Sequence, residues 1–188
     1  MIIVYRPVFR RSIFNLSKIS KQLSKETDEY PNAQRYTIVK KFQYPKPLIY
    51  QLISRVDLYN EFIPYCTSSF INERDSITNE PSIAGLRVGF QSFNEEFTCE
   101  LQCLKDNKVI AKSITHSLFK ILETEWNVKD EGDYCLAILN LKYEFKSSLY
   151  NQVSSIFAKN VSNLMINAFN KRALEVSNNN KLLQKYIE

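Results

Sequence analysis

The sequence predicts an α+β fold: a curved antiparallel sheet of six to seven strands wrapped around one long C-terminal helix, with two short helices after the first strand. Three observations carry this. Alternating polar and apolar segments follow one another from about residue 34 to residue 145. Most are joined by short polar turns, which favours antiparallel neighbours. From about Leu149 the apolar period switches to i, i+3, i+4 and holds for about 25 residues. A strongly curved sheet must cover its concave face, and that helix is the only element available to do so.

Taken in order, Gln34–Tyr44 reads as the first strand, with Tyr36, Ile38, Phe42 and Tyr44 of one parity. Pro45 and Pro47 end it, and Pro47 suits the first turn of a helix over Leu48–Ser54. A second short helix near Asp57–Phe62, with Asp57 placed to cap it, stops at Pro64. Alternating segments follow at Cys66–Arg74, at Leu86, Val88 and Phe90, and at Phe97, Cys99, Leu101 and Cys103. The turn Asp106–Asn107 leads to Val109–His116. Leu122, Thr124, Trp126 and Val128 then alternate with polar residues, and Glu131-Gly132-Asp133 turns the chain. In the last strand Cys135, Ala137, Leu139, Leu141, Tyr143 and Phe145 all point one way. The helix carries Val153, Ile156, Phe157, Val161, Leu164, Met165, Ala168, Phe169 and Ala173 on one face and frays into the polar Ser177–Asn180. The chain thus divides into a leader and linker (1–30), a body (31–178) and a polar C-terminal tail (179–188).

Charge separates the leader from the body. The chain holds 25 Lys+Arg against 20 Asp+Glu, a formal +5. Arg6, Arg10, Arg11, Lys18, Lys21 and Lys25 stand in residues 1–25, which contain no acidic residue; the remainder is 19 basic against 20 acidic, a balance of −1. A near-neutral body argues against a nucleic-acid binder. The leader is basic, Ser-containing and acid-free, with Phe9, Ile13, Leu16 and Leu23 on one helical stripe, and reads as a mitochondrial transit peptide.

Composition narrows the rest. The chain is 13% aromatic, and its three glycines, Gly85, Gly89 and Gly132, have spacings that fit neither a G-x-G-x-x-G turn nor a P-loop. The four cysteines form no C-x-x-C pair and there is one histidine, so buried reduced thiols are expected and no metal ligand set. His116 stands alone, no Ser or Cys has triad spacing, and Glu95-Glu96 and Glu123/Glu125 read as solvated faces. No catalytic residue is assigned. A sheet around a helix leaves a space where side chains do not fill it, and an apolar space of that kind is a ligand site. Residues 75–90, with Pro81, Gly85 and Gly89, read as a lid over it.

The order of elements resembles the helix-grip fold of the START and polyketide-cyclase superfamily. Local sequence is similar to the mitochondrial coenzyme Q-binding START proteins over about 35–175: Asp57-x-Tyr59-x-x-Phe62-x-Pro64-x-Cys66-x-x-Ser69, Leu86-x-Val88-Gly89-Phe90, Phe97-Thr98, Phe119-x-x-Leu122-x-x-x-Trp126, Tyr143-x-Phe145 and Ala168-Phe169-x-x-Arg172-Ala173. Tyr65 stands where Trp often precedes the cysteine. The resemblance implies a non-enzymatic protein that binds the polyprenyl quinone coenzyme Q in a hydrophobic cavity, without a catalytic cofactor. It would act as a lipid chaperone for respiratory electron transport and quinone synthesis. Its place would be peripheral, on the matrix side of the mitochondrial inner membrane, beside the quinone biosynthetic complex or the respiratory complexes. Two alternatives come with the superfamily: a mitochondrial ribosome-associated factor, and a cyclase/aromatase-type enzyme.

The inward positions expected to line the cavity are Phe62, Leu86, Val88, Phe90, Phe97, Leu101, Leu122, Trp126, Leu139, Leu141, Tyr143, Leu164, Met165, Ala168 and Phe169. Trp126, Tyr143, Ser113 and Thr124 are the expected polar partners for a quinone head.

Overall fold

The computed structural model describes residues 29–90 and 93–187, with side chains except at 90, 93, 148–162 and 187. The chain divides into Met1–Pro31 and Asn32–Glu188. The basic leader read as a transit peptide lies outside the described residues.

Within Asn32–Glu188, seven strands form one sheet, antiparallel at every pairing: β1 Gln34–Phe42, β2 Cys66–Arg74, β3 Pro81–Phe90, β4 Phe93–Leu104, β5 Lys108–Ser113, β6 Phe119–Asp130 and β7 Cys135–Phe145. The order is β1-β7-β6-β5-β4-β3-β2, so β2 to β7 meander and β1 closes on β7. The turns are where the sequence puts them. Asp106 adopts φ 59° before Asn107, and Gly132 adopts φ 78° with its N–H donated to the Asp130 carboxylate at 3.0 Å.

Register keeps one parity inward. Val109, Trp126 and Leu139 lie side by side across β5, β6 and β7, and so do Ala111, Thr124 and Leu141. Ala84 pairs with Cys99 and Leu86 with Phe97. Because the side-chain period is two, a single burial decision on each strand fixes this whole face.

The helices cover that face. Helix α1 (Lys46–Ser54) has proline in its first turn and buries Ile49, Tyr50, Leu52 and Ile53. Val56–Glu61 is a 3₁₀ turn, and Asp57 does not cap it: its carboxylate pairs with Arg55 at 3.0 Å. Helix α2 (Ser148–Ser177) runs 30 residues, five more than its periodicity suggests. The expected polar tail is instead a second helix, α3 (Asn180–Ile187). The Asn179 side chain accepts from the N–H groups of Lys181 and Leu182 at 3.1 and 3.2 Å, and Tyr186 is fully buried.

The segment expected as a lid is also different. Residues 81–90 are strand β3, paired on both edges. Gly85 is needed there because a Cβ would meet the Phe70 ring at 2.5 Å and the Phe97 carbonyl oxygen at 2.9 Å. The loop before it is held by Asp75, whose carboxylate accepts from Ile77 and Thr78 N–H at 3.0 and 2.7 Å. Those bonds hold the Asp75 carboxyl below its usual value.

Candidate functional site

The inward face of the sheet, the 3₁₀ turn and α2 enclose a cavity of about 350 Å³. Its long wall is β6, where Trp126, Thr124 and Leu122 step along one face, about 7 Å per pair of residues. Leu139, Leu141 and Tyr143 stand beside them on β7, and Phe97, Cys99 and Leu101 opposite on β4. Leu164, Met165 and Phe169 reach in from α2 at i, i+1 and i+5.

The two ends differ. At one end Ile53, Val109, Trp126, Leu139 and Phe169 are each 6% exposed or less. Rings interlock there: Phe169 meets Trp126 at 5.4 Å and Tyr59 at 5.5 Å, edge to face. At the other end the lining includes Tyr65, 45% exposed, and Leu164, 38% exposed. Tyr65 adopts φ 66°, uncommon for a bulky residue, and its carbonyl accepts the Gly89 N–H at 2.9 Å. This bend sets the chain across the opening, between the start of β2 and the end of β3. Phe97, Phe119, Phe145 and Tyr143 build the adjoining wall, with Phe119 stacked on Phe145 at 4.8 Å and edge-on to Phe97 at 5.4 Å.

Among the described residues, no charged side chain lines the cavity. Burial pushes the Cys99 thiol up to about 12 and raises the Cys66 thiol, so both stay protonated near neutral pH. Burial likewise raises the Tyr59 hydroxyl, which donates to the Ile53 carbonyl at 2.6 Å. Such a wall offers dispersion and hydrophobic contact, a few hydroxyls and one indole N–H. Its described residues include no ionised nucleophile or base.

Behind the closed end lies a polar clasp. Arg172 of α2, 6% exposed, pairs with Glu61 of the 3₁₀ turn and donates from Nε to the Tyr186 hydroxyl at 2.9 Å. Lys185 reaches the same Glu61 at 2.9 Å. Burial raises the Glu61 carboxyl, but the hydrogen bonds from Lys185 and Arg172 outweigh it and hold the group below its usual value.

Of the residues expected to line the cavity, Leu86, Val88, Phe97, Leu101, Leu122, Trp126, Leu139, Leu141, Tyr143, Leu164, Met165 and Phe169 do so. Phe62 does not: it sits behind the wall, edge-on to Tyr59 and Phe169, with the Arg172 guanidinium 5.4 Å from its ring. Ala168 packs on the core beside the cavity, because the apolar stripe of α2 is wider than the opening it faces. The side chain of Phe90 lies outside the described residues. Thr124 is on the wall; Ser113 is not, and donates to the Thr115 carbonyl at 2.7 Å. The pattern missed Val56 and Tyr59, which a 3₁₀ turn presents without helical period, and Ile63–Cys66, where the chain bends.

A family model described as polyketide cyclase / dehydrase and lipid transport matches residues 42–170. The coenzyme Q-binding protein COQ10, mitochondrial, of Saccharomyces cerevisiae is 40% identical over 171 residues, 87% of this chain and 78% of that protein. The ribosome association toxin RatA of Vibrio cholerae is 28% identical, over 68% of this chain and 87% of its own. Among solved structures, a START superfamily protein from Mycobacterium smegmatis superposes with a TM-score of 0.68 at 17% identity, covering 76% of this chain and 98% of its own. The Zhui aromatase/cyclase from Streptomyces sp. R1128 gives 0.65 at 11%, covering 75% and 93%. These two establish the helix-grip architecture; the same architecture carries enzymes and binding proteins.

Proposed function

We propose that this chain, which belongs to the polyketide cyclase / dehydrase and lipid transport family, holds coenzyme Q in its cavity and serves as a lipid chaperone rather than an enzyme. The observation that carries this is a cavity of about 350 Å³ with no charged lining residue among the described residues and one apolar, partly exposed end. The 40% identity to a protein named for coenzyme Q binding supports the choice of ligand over other lipids. It also favours this reading over a ribosomal one, for which the relative is at 28%.

A polyprenyl tail is made of groups each worth ~0.8 kcal/mol when taken out of water. A bilayer satisfies that tail as well as the cavity does, so exchange between the two is close to neutral. That balance suits a carrier, which must release what it takes up. The exposed Tyr65 and Leu164 flank the opening and let the ligand pass from bilayer to cavity without crossing water. The protein works in the mitochondrion, where the basic leader delivers it, and touches the matrix face of the inner membrane. There it hands quinone to the respiratory or biosynthetic complexes. Catalysis is not part of this role, because the cavity thiols and the Tyr59 hydroxyl stay protonated and no ionised base among the described residues faces the space.

Purification from a quinone-containing host, followed by organic extraction and mass spectrometry, tests the ligand. Intact polyprenyl quinone should co-purify. A different lipid in stoichiometric amount, with no quinone, would overturn the reading.

A further inference from the structure

We infer that the quinone enters head first: the Trp126 indole N–H and the Thr124 hydroxyl hold the head at the closed end, and the isoprenoid tail runs to the opening past Leu164. This rests on the quinone reading above and adds an orientation and two polar partners.

The first observation is an unused donor. Trp126 is 6% exposed and lines the cavity, yet its N–H is donated to no group among the described residues. Among the described residues, no fully buried side-chain nitrogen or oxygen lacks a partner. The indole nitrogen is therefore not sealed in the wall; it opens onto the space. An indole N–H only donates, so it calls for an acceptor in the ligand, which a quinone carbonyl provides. A desolvated donor facing only hydrocarbon is unfavourable, and the asymmetry penalises every pose that leaves it so.

The second observation is where the remaining polarity lies. Thr124 is one step along the same face of β6, and its hydroxyl also has no partner among the described residues. The hydroxyl of Tyr59 at this end is already committed to the Ile53 carbonyl. Towards the opening, Leu86, Val88, Leu118, Phe119, Leu164 and Met165 offer no hydrogen bond, and the polar groups on that wall are the Tyr65 and Tyr143 hydroxyls. A flat head also finds aromatic surface at the closed end, where the Trp126 and Phe169 rings meet at 5.4 Å. The tail asks for no direction, and the outer wall is mostly hydrocarbon. Reversing the ligand would leave the Trp126 N–H against hydrocarbon at the closed end.

Trp126 is the chain's one tryptophan, so its emission reports the closed end alone. The full chain, stripped of lipid, is titrated with a tail-less dimethoxy-methyl-benzoquinone and with the same head carrying two isoprene units. Equilibrium dialysis measures binding independently. Both quinones should bind and quench Trp126. A head-less polyprenol should leave the emission largely unchanged. Thr124→Val, near in shape and at home in a strand, should weaken both quinones by about fivefold, the loss of one hydrogen bond. Leu164→Ala should weaken only the tailed quinone. Quinone that binds by dialysis without quenching, or a Leu164→Ala protein that loses the tail-less quinone while Thr124→Val does not, would overturn the orientation alone. Failure of both quinones to bind would overturn the quinone reading and the orientation with it.

Discussion

Helix α2 meets the rest of the molecule in two different ways. From Phe169 to Val176 it is locked: Phe169, Ala173 and Val176 are 2% exposed or less, Arg172 is clasped by Glu61 and Tyr186, and α3 packs alongside. Around Leu164, one turn before, the same helix faces a space and shows 38% of that side chain to solvent. Stability is concentrated at one end of the cavity and access at the other. A container for a lipid needs both, and separating them lets the opening change without unfolding the body.

Substitutions along α2 should therefore fall on two scales. The largest stability loss is expected for Phe169→Ala, about 3–4 kcal/mol by urea denaturation, since the ring is in contact with Tyr59, Phe62 and Trp126. Arg172→Ala should cost less, about 2 kcal/mol, because Glu61 is partly exposed and keeps Lys185 as a partner. Glu61 should also make the locked end acid-sensitive. Its carboxyl is lowered in the fold, so the unfolded chain binds the proton more tightly. The contribution is complete above the ordinary value of 4.5 and is lost as pH falls below it; a Glu61→Gln protein should show a flatter stability profile over about pH 5 to pH 3. At the open end, Leu164→Lys should change stability by only about 0.5 kcal/mol, because the amine can reach water, while ligand retention falls sharply. Lys142→Glu, outside the cavity and opposite Glu123 on the neighbouring strand, should leave retention intact and cost a few tenths of a kcal/mol.

What could be read beforehand follows the same division. Strand parity was legible because one face is buried: Leu122, Trp126, Leu139, Leu141 and Tyr143 needed only the period of two. The helix stripe gave Leu164, Met165 and Phe169, but could not say that Ala168 falls beside the opening. The locked end was less legible. Helix α3 reads as polar tail because, among its described residues, only Leu182, Leu183 and Tyr186 turn inward, and its polar anchors are Arg172 at Tyr186 and Glu61 at Lys185, the latter 124 residues away in sequence. Phe62 has the composition of a lining residue, yet the 3₁₀ turn rotates it behind Tyr59. Gly85 suggested a lid, whereas a close crossing by Phe70 requires it in mid-strand. The bend at Tyr65, with its positive φ, has no signature in residue type.

The amount of quinone per chain in the Leu164→Lys protein and the unaltered chain, purified side by side from a quinone-containing host, decides whether the ligand occupies this cavity. Circular dichroism should establish that both are folded. About one quinone per unaltered chain, and far less in a folded Leu164→Lys protein, is the expected result. Equal loading of the two would contradict it, since the ligand would then lie somewhere other than the cavity that Leu164 borders.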